Sequence, residues 1–383
     1  MLALLLALTY TKLLGLEKRS VLAFIMVSAL ILTIIFISGF SLGLRNKSKQ
    51  AIKSEEFVGY IIVVFSASLI VGSINCLLLL MYSNLKTSIP FPIFVVCFIY
   101  SSLACFTLGL QDALLAAGNL KTATIFDITT ILIQILVFSF LVNIAQTSLI
   151  VSIFLSFIFS YSMISFGSLA IFFFTLPIEK DKLINGITIV LTQSKNKHLF
   201  GIATGLADRL DRFLIGLILP ITFLAKYALL SSIIFFARFL PDAAMKINLL
   251  KHHKKEQVFR VSFSLQNAVY IALAGLLFVG LSQTFITYVF GNDWLLPNTL
   301  SALIVSQEIL RGIYQSKSIK LIALGGSIVM SKFSGLLIAL LLSLMPLLIF
   351  VIGISGAPLA MILIYILLIL LLDNELRKDS HGH

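Results

Sequence analysis

The chain has 383 residues, of which 59% are hydrophobic and only 11% charged, and its mean hydropathy is +1.09. A soluble domain carries roughly 25% charged residues, so this surface cannot face water on every side. The formal net charge of +12 has no folded basic domain to carry it. That excludes a nucleic-acid footprint and leaves membrane topology as its explanation.

Apolar runs of about 20 residues recur along the whole length, each able to cross a hydrocarbon core ~30 Å thick. They are continuous rather than alternating, which excludes a β-barrel. Twelve membrane-spanning helices are predicted, near 1–16, 20–44, 57–82, 90–115, 122–145, 148–176, 198–220, 222–240, 264–290, 295–316, 326–352 and 355–373. The first supplies only about 24 Å of helix and is short for a crossing. It has neither a basic start nor an A-x-A-like site, so a truncated first helix fits better than a cleaved signal peptide. The fold class expected is therefore all-α integral membrane.

With the N-terminus inside, the cytoplasmic loops hold Arg45, Lys47, Lys49, Lys53, Lys121, Lys180, Lys182, Lys195 and Lys197 in the first half. Lys246, Lys251, Lys254, Lys255, Arg260, Lys317, Lys320, Arg377 and Lys378 continue the series, while the other side has only Lys12, Lys18, Arg19, Lys86 and Lys226. This asymmetry fits an even number of spans with both termini cytoplasmic. The longest connection, 177–197, contains LINGITIVLTQ, too short to span and suited to an interfacial helix. Cys76, Cys97 and Cys105 fall inside spans, which implies no disulfide framework, and no metal-ligand spacing is present.

The chain repeats itself at an offset of 207 residues. LLAAGNLKTATI (114–125) falls on LIALGGSIVMSK (321–332), EKRSVLAFI (17–25) on LAKYALLSS (224–232), and LRNKSKQ (44–50) on KHHKKEQ (251–257). Two parallel six-helix lobes follow: 1–176, then a connector 177–197, then 198–373 and a cytoplasmic tail 374–383. In this register Met1 lies opposite Asp208, so the first half lacks the counterpart of the start of span seven.

Span seven holds four charges in five residues: Asp208, Arg209, Asp211 and Arg212. On an unbroken helix, with Asp208 at zero, Arg212 lies at about 40°, Arg209 at about 100° and Asp211 at about −60°. All four then share one face, with Asp208 and Arg212 at the favourable i,i+4 spacing. Each charge at a helix centre costs about 2.5–3.5 kcal/mol on insertion scales, so the face must see protein or water. A structural ion cluster and a polar cavity both answer that requirement. Arg238 in span eight, and Glu308 with Arg311 on one face of span ten, extend the polar set. Gln111, Asp112 and Asp127 sit near membrane ends, where interfacial and cavity placements are equally consistent. A cavity holding several cations suits an anionic head group such as a phosphate or pyrophosphate.

These segments resemble a known family. DRFLIGLILP followed by AKYALLSSI is similar to spans seven and eight of Wzx-type polysaccharide flippases, relatives of the lipid II flippases and of the multidrug and toxin extruders. GLEKRSVLAFIMVSALILTIIF resembles their second span, LLAAGNLKTATI their fourth-to-fifth connection, and GISGAPLAMILIYILLILLL, with Gly353, Gly356 and Ala357, their last. Ser20 and Ala225 stand where the family has turn glycines, and Asp208–Arg209 adds charge beside the more typical Asp211–Arg212. The resemblance implies two six-helix lobes in a V shape and alternating access. It also implies export of an undecaprenyl-pyrophosphate-linked oligosaccharide across the bacterial inner membrane. Arg209, Arg212, Arg238 and Arg311 would attract the pyrophosphate and sugar carboxylates; Asp208, Asp211 and Glu308 would orient them or carry a coupling proton or sodium ion. No other cofactor is expected. Partners implied are membrane lipids and the polymerase and chain-length proteins of the same pathway, with no nucleic acid. The alternatives are a multidrug cation antiporter of the same superfamily and a membrane glycan polymerase or glycosyltransferase. The last is an enzyme that would need a large loop or catalytic domain this chain lacks.

Overall fold

The computed structural model describes residues 2–45, 54–116, 119–143, 148–175, 183–235, 262–323 and 327–381. Among them there are twelve α-helices and no strand. The first six are α1 Leu2–Arg45, α2 Ser54–Lys86, α3 Phe91–Ala116, α4 Leu120–Asn143, α5 Leu149–Thr175 and α6 Leu183–Ala207. The rest are α7 Leu210–Ile218, α8 Ile221–Phe235, α9 Ser262–Phe290, α10 Asn298–Ala323, α11 Ser327–Ile352 and α12 Gly356–His381. The chain is a multi-pass helical membrane protein that divides into two compact units, Met1–Arg209 and Leu210–His383.

The 207-residue register reappears in the helices. Helices α3, α4 and α5 start at residues 91, 120 and 149; adding 207 gives 298, 327 and 356, the first residues of α10, α11 and α12. Thin sequence identity is enough to hold a fold in register when the hydrophobic pattern and the positions of turns agree.

In the first unit, the two expected spans 1–16 and 20–44 are two helical segments of α1 that meet at a sharp turn at Gly15 (φ 70°, ψ 178°). Only a residue without a Cβ adopts this conformation cheaply. Eight residues of unbroken helix would separate Thr11 and Arg19 by about 12 Å. Across the turn, the buried Arg19 donates from Nε to Thr11 Oγ1 at 2.9 Å, and Thr11 donates to Ala7 O at 2.7 Å. Helix α1 packs on α2, α3 and α6, and α3 and α4 pack on α5.

The α1–α6 seam depends on small residues. A Cβ on Gly201 would meet Ser38 Oγ at 2.7 Å, and one on Gly205 would strike the Ile34 side chain. The two glycines are four residues apart, the spacing that lets helix backbones approach in lipid. The LINGITIVLTQ stretch is continuous with the start of the expected span seven as α6; at Gly186 its backbone meets Gly59 of α2. Several polar groups inside this unit bond to one another across helices, as a membrane interior favours. Asn75 Nδ2 donates to Ser101 Oγ at 2.6 Å and Ile25 O at 3.2 Å, tying α1, α2 and α3 together. Thr107 and Ser165 share a 2.9 Å hydrogen bond between α3 and α5.

In the second unit, α10 packs on α9 and α12, α11 packs on α12, and α7 lies against α8 and α11. Gln283 Nε2 closes the α9–α10 connection on Leu296 O at 3.0 Å. Lys317 of α10 pairs with Asp373 of α12.

Among the described residues, six stretches are long and apolar enough to cross a membrane: Leu6–Ser38, Glu56–Lys86, Phe91–Leu115, Lys121–Asn143, Leu149–Phe172 and Ile328–Leu376. The last joins α11 to α12. Ile221–Ile234 is a shorter apolar helix, span seven is broken, and α10 carries Gln307, Glu308, Arg311, Gln315 and Lys317.

Two substitutions test these seams. Gly15→Ala, with nothing within 4 Å of the added Cβ, is expected to cost about 1–3 kcal/mol through backbone strain alone. The readout is thermal denaturation in detergent. Gly205→Leu should cost about 1–3 kcal/mol by forcing α6 off α1, measured in the same way.

Candidate functional site

The expected continuous helix over 198–220 is interrupted. Helix α6 ends at Ala207, Asp208 and Arg209 form a turn in which Arg209 N donates to Leu206 O at 3.0 Å, and α7 begins at Leu210. The one-face projection of four charges, and the i,i+4 pairing of Asp208 with Arg212, both assume an unbroken helix; the turn removes that basis. Helix α7 then runs only to Ile218, about 14 Å at 1.5 Å per residue. The next turn precedes Pro220, which cannot continue a helix; Phe223 N donates to Pro220 O at 3.0 Å to open α8.

Asp211 lies in the first turn of α7, where a carboxylate is favoured by the exposed N–H groups. It is 5% exposed, and each of its oxygens has a donor. Arg212 N–H donates to Oδ1 at 2.7 Å, and the hydroxyl of the fully buried Tyr227 on α8 donates to Oδ2 at 2.9 Å. The Arg212 side chain is half-buried; its Nε is sealed from solvent and finds no hydrogen-bond partner among the described residues.

Helix α10 brings the next pair. Glu308 and Arg311 are 8% and 7% exposed, one turn apart, with carboxylate and guanidinium 4.0 Å from each other. Glu308 is close enough to act electrostatically on Asp211 and on Tyr227. The second unit thus gathers Asp211, Arg212, Tyr227, Glu308 and Arg311 from α7, α8 and α10. The gathering is balanced, two acids against two cations, rather than basic. Arg238 lies outside the described residues.

Asp208 and Arg209 close the first unit and are half-buried. Arg209 acts through space on Tyr100 of α3, a buried ring stacked edgewise on Phe154 and Phe157 at centroid distances of 5.4 and 5.6 Å.

The first unit also holds a cavity of about 310 Å³ lined by Thr33, Ile37 and Ser38 of α1, Gln111 and Asp112 of α3, and Asp127 of α4, among others. Gln111 Nε2 donates to Asp127 Oδ1 at 3.1 Å. Sequence reasoning placed these acids at membrane ends without joining them, because their helices are separate in sequence. Tyr227 was missed outright. The available signal was its hydroxyl in an apolar span, since a buried tyrosine O–H usually finds a polar partner. Among the described residues, no group of three or more His, Cys, Asp or Glu could hold a metal ion.

No family model matches the chain, and no curated protein matches it in sequence. Solved structures do. A multidrug resistance MATE family transporter of the MOP superfamily, in an inward-facing conformation, aligns with TM-score 0.65 at 11% identity, over 100% of this chain and 96% of its own. The lipid II flippase MurJ aligns with TM-score 0.65 at 12% identity, over 98% and 88%. The Vibrio cholerae MATE transporter VcmN aligns with TM-score 0.61 at 14% identity, over 100% and 93%. The chain has the MATE and MurJ fold. At such identities the likeness is one of fold, and the functional reading has to come from the charged residues themselves.

Removing the Tyr227 hydroxyl leaves Asp211 buried with one donor fewer. Tyr227→Phe is therefore expected to destabilise the protein by about 1–3 kcal/mol. Asp211→Asn combined with Tyr227→Phe should cost less than the sum of the two singles, read from a double-mutant cycle of thermal unfolding in nanodiscs.

Proposed function

We propose that the chain is a flippase for a lipid-linked saccharide, carrying an undecaprenyl-pyrophosphate-linked oligosaccharide from the cytoplasmic to the outer leaflet of a bacterial inner membrane. The observation that carries this reading is Arg212. Its Nε is cut off from water with no partner among the described residues, in a chain whose fold matches that of a lipid flippase. An unsatisfied buried donor is costly unless something arrives to accept from it. A pyrophosphate oxygen is such an acceptor, and a guanidinium fork matches its geometry.

In this reading Arg212 and Arg311, with Arg209 and Arg238, attract the diphosphate, while the polyprenyl tail stays in lipid. The Asp211 carboxyl group accepts from two donors, which fixes the start of α7 and with it the position of Arg212. Glu308, facing Arg311 at 4.0 Å, is the better placed of the acids to exchange a coupling proton or sodium ion, with Asp208 as a second candidate. The two six-helix halves move by alternating access. Both termini are cytoplasmic, and the polymerase and chain-length proteins of the pathway take over the exported unit.

A second reading is export of an organic cation, favoured by the acid-lined cavity of the first unit and by the MATE likeness. The two separate on one variant. Arg212→Ala is expected to lower flipping of a fluorescent polyprenyl-pyrophosphate-linked saccharide in proteoliposomes by about tenfold or more, given the worth of a charge-assisted hydrogen bond. Monodispersity and reconstitution should be unchanged. Normal flipping by Arg212→Ala sinks the flippase reading.

A further inference from the structure

Helix α10 carries a row of polar side chains that its ion pair alone does not explain. Gln307, Arg311 and Gln315 follow one another at four-residue steps, about 6 Å apart along the axis. With Gln307 at zero, Arg311 lies at about 40° and Gln315 at about 80° around the helix. Tyr314, whose ring centroid is 5.5 Å from that of Tyr365, and Lys317, paired with Asp373, mark the side turned to α12, at about −20° and −80°. Glu308, which acts on Asp211 and Tyr227, marks the side turned to α7 and α8, at about 100°. The ridge of Gln307, Arg311 and Gln315 runs between these two sides, wholly within the second unit.

Two atoms on this ridge are unmet. The Oε1 oxygens of Gln307 and Gln315 are sealed from solvent and have no hydrogen-bond partner among the described residues, and Gln307 as a whole is buried. Buried polar atoms in native proteins almost always have a partner, and one left without it costs the desolvation of the group. Amide oxygens only accept, so what meets them has to donate. Arg311, between them, only donates, as does the sealed Nε of Arg212 on α7. The second unit thus presents donors and acceptors together, which suits a ligand that carries both.

Resting on the flippase reading, we infer that Gln307 and Gln315 read the sugar next to the diphosphate, and that the site thereby prefers a saccharide-loaded carrier lipid to the bare polyprenyl diphosphate. Diphosphate oxygens accept from the arginines. Sugar hydroxyls, or the N–H of an acetamido group, donate to the two glutamine oxygens. A bare diphosphate brings acceptors and leaves both amide oxygens unmet. Sites built to hydrogen-bond a hydroxyl reject the analogue that lacks it for this reason. Gln307, Glu308 and Arg311 are all buried here, and the face opens to substrate as the halves alternate. Such a preference keeps the emptied carrier lipid from competing with the loaded one.

The test is binding to the full chain in nanodiscs, by microscale thermophoresis, with farnesyl diphosphate and farnesyl-diphospho-N-acetylglucosamine as probes. The unsubstituted protein is expected to bind the sugar-bearing probe about tenfold or more tighter. Gln307→Met and Gln315→Met keep the length of the side chain and remove its carbonyl. Each should narrow that margin, and the double variant should abolish it through weaker binding of the sugar-bearing probe. Because an unmet oxygen is removed, neither variant should lower the unfolding temperature. Equal binding of the two probes by the unsubstituted protein overturns the inference and leaves the flippase reading standing. Binding of neither probe sinks both. A double variant that keeps the preference but unfolds at a lower temperature overturns the inference as well, since the oxygens then hold ordered water only. Equal loss of both probes in the double variant also overturns it, because the glutamines would then support the arginines rather than read the sugar.

Discussion

A nine-residue helix in a membrane protein has little to hold it. Helix α7 is that short, and its place depends on Asp211, whose two oxygens are clamped by its neighbour's N–H and by the hydroxyl of Tyr227. A buried carboxylate is tolerable only with such donors, since its desolvation is otherwise larger than any packing gain from so small an element. Having paired Asp211 with α8, the second unit can hold Arg212 beside it and set Glu308 and Arg311 of α10 nearby. Without that clamp, the charges of α7 would be unanchored.

The two units solve the membrane's demand for internal hydrogen bonding differently. The first uses serine and threonine hydroxyls bonded to carbonyls a turn back, Asn75 bridging three helices, the buried Arg19 bonded to Thr11, and glycines that let α6 approach α1. The second carries ionised side chains within its helices, at the cost of apolar length. Helices α7 and α10 fall short as uninterrupted apolar spans for the same reason that they carry the candidate site.

Much of the fold was legible. Composition settled an all-helical membrane protein, and the 207-residue register agrees with where α10, α11 and α12 begin, because hydrophobic pattern and turn position survive when identity does not. The boundary between the first two spans was legible to within a residue or two of the turn at Gly15. The break in span seven was not: GLADRLDRFLIG reads as helix by local propensity and by apolar continuity on both sides, yet the chain turns at Asp208–Arg209. That turn depends on what the flanking segments pack against, which periodicity does not encode.

The candidate residues divide along the same line. By itself the sequence determined that charges concentrate in span seven and in the tenth, because such residues are expensive in an apolar chain and stand out wherever they occur. It also determined the pairing of Glu308 with Arg311, since residues three apart on a helix share a face. Tertiary structure alone decided that Asp211 is held by Tyr227, that Arg212 keeps a sealed nitrogen, and that Asp112, Asp127 and Thr33 meet around one cavity. Those are contacts between helices, set by how side chains from different segments fill shared space, and no local pattern along the chain carries that information.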